Sequence, residues 1–125
     1  MKQKSVIQDK SFDFAKRIVR LNKFLTNKNE FVLSRNVMRA GTSIGAYVEE
    51  ANASQTKKVF AQKLALAYKE ANETRYWLSL LKDSGLVGVK EGESMINDCD
   101  SLLKMIGSAV RTVRANLKTE AAAKQ

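Results

Sequence analysis

The 125-residue chain contains no histidine, no proline and a single cysteine, and no apolar run in it approaches the roughly 20 residues that cross a bilayer. Each absence removes a class of protein. Without histidine, and with Cys99 alone, the His/Cys zinc sites, the Ser-His and Cys-His nucleophile pairs and the Glu-x-x-His motif of di-iron bundles cannot be assembled. The composition therefore points away from an enzyme, and neither a metal nor a cofactor is expected. One cysteine forms no intramolecular disulfide, and the opening Met1-Lys-Gln-Lys-Ser5 lacks the apolar stretch of a secretory signal, so a cytoplasmic protein that does not engage membranes is expected. What the chain does have, 44% hydrophobic and 28% charged residues, is the make-up of a globular domain, and its length fits one domain over residues 1–125.

The missing proline and a helical rather than alternating apolar period together predict an all-α protein. A first helix over residues 11–25 carries Phe14, Ile18, Leu21 and Leu25 at spacings of four, three and four. A second, over 29–52, places Val37, Gly41, Ile44, Val48 and Ala51 on one stripe. A third, over 55–84, sustains the pattern through Phe60, Leu64, Ala67, Ala71, Thr74, Leu78 and Leu81, and a fourth, over 91–118, through Ile96, Cys99, Leu103, Ile106, Val110, Val113 and Leu117. Such seams belong to bundles. Gly85, between Ser84 and Leu86, is placed to end the third helix in a left-handed cap with Leu86 folding back on Leu81. Short connections favour antiparallel neighbours, hence an up-down-up-down four-helix bundle, with a shorter first helix and a frayed tail over 119–125.

Charge is distributed unevenly. Residues 1–28 carry a net +6, residues 101–125 a net +4 and the middle a net −1. In the first helix Lys16, Arg20 and Lys23 lie opposite the seam with Arg17 on their flank, and in the fourth Lys104, Arg111, Arg114 and Lys118 share one side. First and last helices are neighbours in such a bundle, so the two sets are expected to merge into one basic field, suited to a polyanion held through its phosphates. The plainer reading is that each is a solvated helix face. Little aromatic material interleaves these residues, which favours backbone or shape recognition over base stacking.

The third helix has a second apolar face: Val59, Leu66, Trp77 and Leu80 lie opposite its seam, with Glu73 among them and Tyr76 nearby. Scattered surface hydrophobes are ordinary, but four large groups on one stripe suit a partner surface, and self-association is the simplest partner. The outer face of the second helix offers Arg39, Ser43, Ala46 and Glu50, where Arg39 could pair with Glu50 or Glu73 or stay solvated. Gly41-x-x-x-Gly45 lacks the spacing and the preceding strand of a dinucleotide fingerprint and is better explained by close helix packing. Glu49, Glu50, Glu70 and Glu73 are carboxylates of the kind found in di-metal bundles, but with no histidine beside them ion pairing is the better account. Gly85-Leu-Val-Gly88 has the letters of a KH-domain loop without its sheet context. Cys99, on the fourth seam, reads as a small core residue rather than a reactive thiol.

The segments Arg39-Ala-Gly-Thr-Ser-Ile-Gly-Ala-Tyr-Val-Glu-Glu50, Leu64-Ala-Leu-Ala-Tyr-Lys-Glu-Ala-Asn-Glu-Thr-Arg-Tyr-Trp-Leu78 and Ser11-Phe-Asp-Phe-Ala-Lys-Arg-Ile-Val-Arg20 resemble the four-helix-bundle family encoded in intervening sequences of bacterial 23S rRNA genes. The likeness spans roughly residues 8–117. It departs at Ala51 and at Lys69-Glu70, where the family often has Gly and a Gly-Ser pair, changes that favour helix. The resemblance implies a homopentamer, a barrel of five bundles, without known enzymatic activity. The family is also similar to the accessory protein of diversity-generating retroelements, a pentamer that works with a reverse transcriptase and binds nucleic acid through basic surfaces. Two function classes follow: a homo-oligomeric module that binds RNA, DNA or a ribonucleoprotein, with a reverse transcriptase as a candidate partner, or an oligomeric protein scaffold with no nucleic-acid role.

Overall fold

The computed structural model describes residues 5–124, so Met1–4 of the opening segment and Gln125 of the expected tail lie outside the described residues. The chain forms α1 (Val6–Asn27), α2 (Val32–Asn52), α3 (Lys57–Asp83) and α4 (Val89–Ala123), with no strand among the described residues. α1 starts five residues before the expected position because Ser5 and Gln8 make a reciprocal capping box, the Ser5 hydroxyl accepting from the Gln8 N–H at 3.1 Å and the Gln8 side chain accepting from the Ser5 N–H at 2.9 Å. Such a box satisfies two of the N–H groups a helix start leaves open. α1, at 22 residues, is shorter than α3 at 27 and α4 at 35, as expected.

Turns are built by one device used twice. After α1, Asn29 takes φ 64°, the Glu30 N–H reaches Leu25 O and the Asn29 N–H reaches Thr26 O. After α3, Gly85 takes φ 76°, the Leu86 N–H reaches Leu81 O and the Gly85 N–H reaches Lys82 O. Both are Schellman closures, in which a left-handed residue lets the chain fold back and satisfy terminal carbonyls. Thr56 caps α3 by accepting from the Val59 N–H at 3.1 Å.

Consecutive helices pack antiparallel, as the links Gln8–Glu49, Glu50–Lys63, Arg75–Asp100 and Lys57–Glu120 show. α1 meets α4 less extensively than the other neighbouring pairs meet each other. Every apolar residue of the first seam is buried, as are Val37, Ile44, Val48 and Ala51 of the second and Leu64, Ala67, Ala71, Leu78 and Leu81 of the third. Gly41 is required by this packing, since a Cβ there would come within 2.6 Å of the Ile18 side chain. At Gly45 an added Cβ would meet only ordinary contact distances to Ser11, so of the two spaced glycines one is sterically committed and the other is not.

On α4, Leu103 is only partly buried while Met95 and Leu102 are buried, because this helix faces both α1 and α3 and so hides a wider arc than one seam. The expected frayed tail is helical instead: α4 runs to Ala123, and Glu120 accepts an ion pair from Lys57 at 2.6 Å. Val113 and Leu117 continue the seam on this last stretch and stay half-buried, since only the start of α3 reaches them.

Candidate nucleic-acid interface

The basic residues assigned to one field fall into two groups. Arg17 is turned toward α4, where its guanidinium donates to Asp98 at 2.6 Å, Glu91 at 2.9 Å and Ser94 at 3.2 Å. Partial burial works against its charge, but the hydrogen bonds and field of Asp98 and Glu91 outweigh that and raise its pKa. Arg17 therefore ties two helices together, and its guanidinium is already engaged by two carboxylates of α4. Arg20 borders a cavity between α1 and the start of α4, beside Glu91 and Met95. Lys16 pairs with Asp13 at 3.2 Å and lies 5.4 Å from the Phe12 ring. Lys23 is exposed.

The α4 set lies elsewhere. Arg111 and Arg114 line a groove with Ala65, Tyr68, Gly107 and Val110 on the α3 side of α4, whereas Asp98, Ser101, Leu102 and Met105 line the α1 side with Lys10 and Asp13. Only Lys104 reaches that α1 side. Along the axis, Arg20 is level with Glu91, and Arg114 stands 23 residues further on, or about 35 Å at 1.5 Å per residue. The helix 1 and helix 4 charges therefore do not form one merged field: Arg17 is turned toward α4, Lys104 alone of the α4 set reaches the α1 side, and Arg111 and Arg114 lie on the α3 flank, far along the axis from Arg20.

Around the α4 set the charge is uncompensated. No ion pair among the described residues involves Arg111, Arg114 or Lys118, while Lys57 on α3 pairs with Glu120, and Lys58 beside it is exposed without a carboxylate partner. Tyr68 adds an aromatic surface that the sequence reading missed. It packs where α4 carries Gly107, at which a Cβ would come within 3.1 Å of the Tyr68 ring. The missing side chain opens the groove in which Tyr68 and the two arginines meet.

The outer face of α2 and α3 is different in kind. Arg39 donates to Glu70 at 3.2 Å and pairs closely with Glu73, and the Trp77 indole N–H donates to Glu73 at 3.0 Å. The Trp77 hydrogen bond is the largest influence holding the Glu73 carboxyl below its usual range, partial burial opposes it, and Arg39 adds to the lowering. Glu50 pairs with Lys63 at 2.8 Å and not with Arg39. Of the apolar stripe, Val59 and Leu66 are 37% and 38% exposed, whereas Trp77 and Leu80 are half-buried and Trp77 packs on the core. Tyr76 stands edge-on to Trp77, with centroids 5.0 Å apart. A second apolar surface, unread from the sequence, joins Phe12 and Ala15 of α1 to Thr42, Gly45 and Ala46 of α2.

Neither a metal centre nor a reactive thiol emerges. No group of three or more ligand-type residues clusters among the described residues. Cys99 is buried, its thiol lies 3.2 Å from Ala71 O, and burial pushes its pKa up to about 12, so the nucleophilic thiolate is suppressed. No helix among the described residues is long and apolar enough to cross a membrane.

Comparison with known proteins fits this architecture. The family pattern of the 23S rRNA-intervening sequence proteins matches residues 3–108. Among solved structures, a protein of unknown function from the S23 ribosomal protein family of Bacteroides thetaiotaomicron is similar over 84% of this chain and 98% of its own, at 46% identity and a TM-score of 0.83. No curated protein matches.

Proposed function

We propose that this chain, which belongs to the family of 23S rRNA-intervening sequence proteins, is a non-catalytic, self-associating bundle that binds the backbone of structured RNA or DNA, alone or in a ribonucleoprotein. The observation that carries this reading is the basic end of α3 and α4: Arg111 and Arg114 line a groove with Tyr68, Lys118 is exposed further along α4, and Lys57 and Lys58 open α3 at the same end, with no ion pair of Arg111, Arg114 or Lys118 among the described residues. Cations left unneutralised on one surface give affinity for phosphate by releasing condensed counterions, without base readout. The face moves from the α1 and α4 pair to the distal end of α3 and α4. The single Tyr68 supplies at most one stacking contact, so backbone contacts dominate.

Self-association is supported by the two exposed apolar surfaces, Val59 and Leu66 on α3 and the Phe12 groove between α1 and α2. Two different surfaces on one chain suit a head-to-tail contact, which gives a ring where the rotation closes; the family resemblance supports a ring of five chains. The assembly would repeat the basic end around an axis and multiply its field.

Anisotropy titrations with a duplex RNA, a hairpin RNA and a duplex DNA test the binding. Reversing Arg111, Arg114 and Lys118 to Glu is expected to lower affinity by about two orders of magnitude or more, with helical circular dichroism kept, because all three are exposed. Unchanged binding would refute the assigned face. For assembly, light scattering of wild type is expected to report an oligomer that Leu66→Glu shifts toward monomer; a wild-type monomer at tens of micromolar would refute it. A wild-type oligomer that ignores all three nucleic acids would favour the protein scaffold.

A further inference from the structure

A mostly apolar hollow lies not at the basic end of the molecule but at the opposite one. Where α1 and α4 part, Leu21, Phe24, Val87 and Met95 enclose a cavity of about 460 Å³, and Arg17 and Arg20 stand in its wall. That volume falls within the roughly 300–1,000 Å³ of small-molecule sites, which are apolar hollows with a few placed polar groups. Its floor is firm: Leu21, Val87 and Met95 are buried, and Val87 is held by the closure after α3. Its mouth is positive. Arg20 has no ion pair among the described residues, Lys28 lies 4.3 Å from the centroid of the Phe24 ring, and the Glu91 and Asp98 carboxylates are engaged by Arg17.

We propose that this cavity binds a small amphiphilic anion, a free single-chain or aromatic carboxylate whose apolar body lies against Leu21, Phe24, Val87 and Met95 and whose head meets Arg20. A neutral apolar ligand would leave Arg20 unused. A cation would meet Arg20 and Lys28 at the rim, with both nearby carboxylates already taken. An arginine fork matches a carboxylate in two parallel hydrogen bonds, and such charge-assisted bonds are the strong ones. The site is separate from the nucleic-acid face, at the other end of the bundle, so either can fail without the other.

Decanoate and its uncharged counterpart decanol are suitable probes, followed by calorimetry and by the methyl and amide resonances of Met95 and Gly88 in the full chain. Saturable decanoate binding is expected, with shifts centred on Met95, Gly88 and Phe24. Arg20→Gln is expected to weaken decanoate by about tenfold or more, the worth of a charged hydrogen bond, and to leave decanol unchanged. Arg20 is exposed, so that variant should fold. Absence of saturation, equal affinity for decanol and decanoate, or an Arg20→Gln protein that binds decanoate normally would each overturn the proposal. So would capture by anionic phospholipid vesicles that decanoate does not relieve, which would make the surface a membrane contact.

Discussion

Two sets of cations that look alike on a helical wheel behave differently in the fold. In α1, Arg17 bridges to Glu91 and Asp98, Lys16 pairs with Asp13, and Arg20 borders a cavity. In α4, Arg111 and Arg114 share a groove with Tyr68, and among the described residues neither they nor the exposed Lys118 makes an ion pair. The lesson is that the face of a helix and the position along its axis are separate variables, and that a neighbouring helix can neutralise a basic face before any ligand arrives. Charge becomes a binding surface only where the bundle leaves it unanswered.

The comparison breaks most visibly in binding. Reversing Arg20 and Lys23 to Glu is expected to leave duplex affinity within about threefold of wild type, while the same change at Arg111 and Arg114 lowers it about a hundredfold. Anisotropy at fixed salt reads both, and equal losses would restore a single merged field. Stability should show the reverse order. Arg17→Gln is expected to cost about 1–2 kcal/mol in urea unfolding, because it leaves Glu91 and Asp98 without their partner, with duplex affinity unchanged. A smaller effect sharpens the α4 side: Glu120→Gln releases Lys57 and should tighten duplex binding by about two- to threefold.

The smallest effect concerns the compensated face of α2 and α3. Glu73 has its pKa lowered, chiefly by the Trp77 N–H, so its contribution to stability is fully present above the ordinary carboxylate range and is lost as pH falls through the lowered native value. Trp77 is the only tryptophan. Its fluorescence should therefore titrate with a midpoint below the ordinary glutamate value of about 4.3, and Glu73→Gln should remove that transition. A midpoint above the ordinary value would contradict the assigned hydrogen bond.

How much of this was legible varies with the kind of interaction. Core stripes were, because Phe14, Ile18, Leu21 and Leu25 are hidden by the same period that makes them visible in sequence. So was the closure at Gly85, which needs a left-handed residue and a following apolar one. The start at Ser5 was legible in principle, since Ser5-x-x-Gln8 is a capping box, but the apolar stripe, which begins only at Phe14, puts the boundary at residue 11 instead. Arg17 could not be assigned from its own helix, because the acids that take it are more than 70 residues away in sequence. The separation of the basic sets along the axis was legible in the antiparallel order, which puts the end of α1 beside the start of α4 and so Arg20 beside Glu91 and far from Arg114; helix faces alone do not carry that level. Tyr68 escaped notice because its significance comes from Gly107 on the facing helix.

The central claim, that phosphate is met at the α3 and α4 end and not across α1 and α4, is tested most directly by the salt dependence of duplex DNA binding in two single variants. Each neutralised phosphate contributes about 0.9 to the slope of log affinity against log salt. Arg114→Ala is expected to flatten that slope by about one contact, and Arg20→Ala to leave it as in wild type. Equal flattening by both variants, or none by Arg114→Ala, would contradict the account.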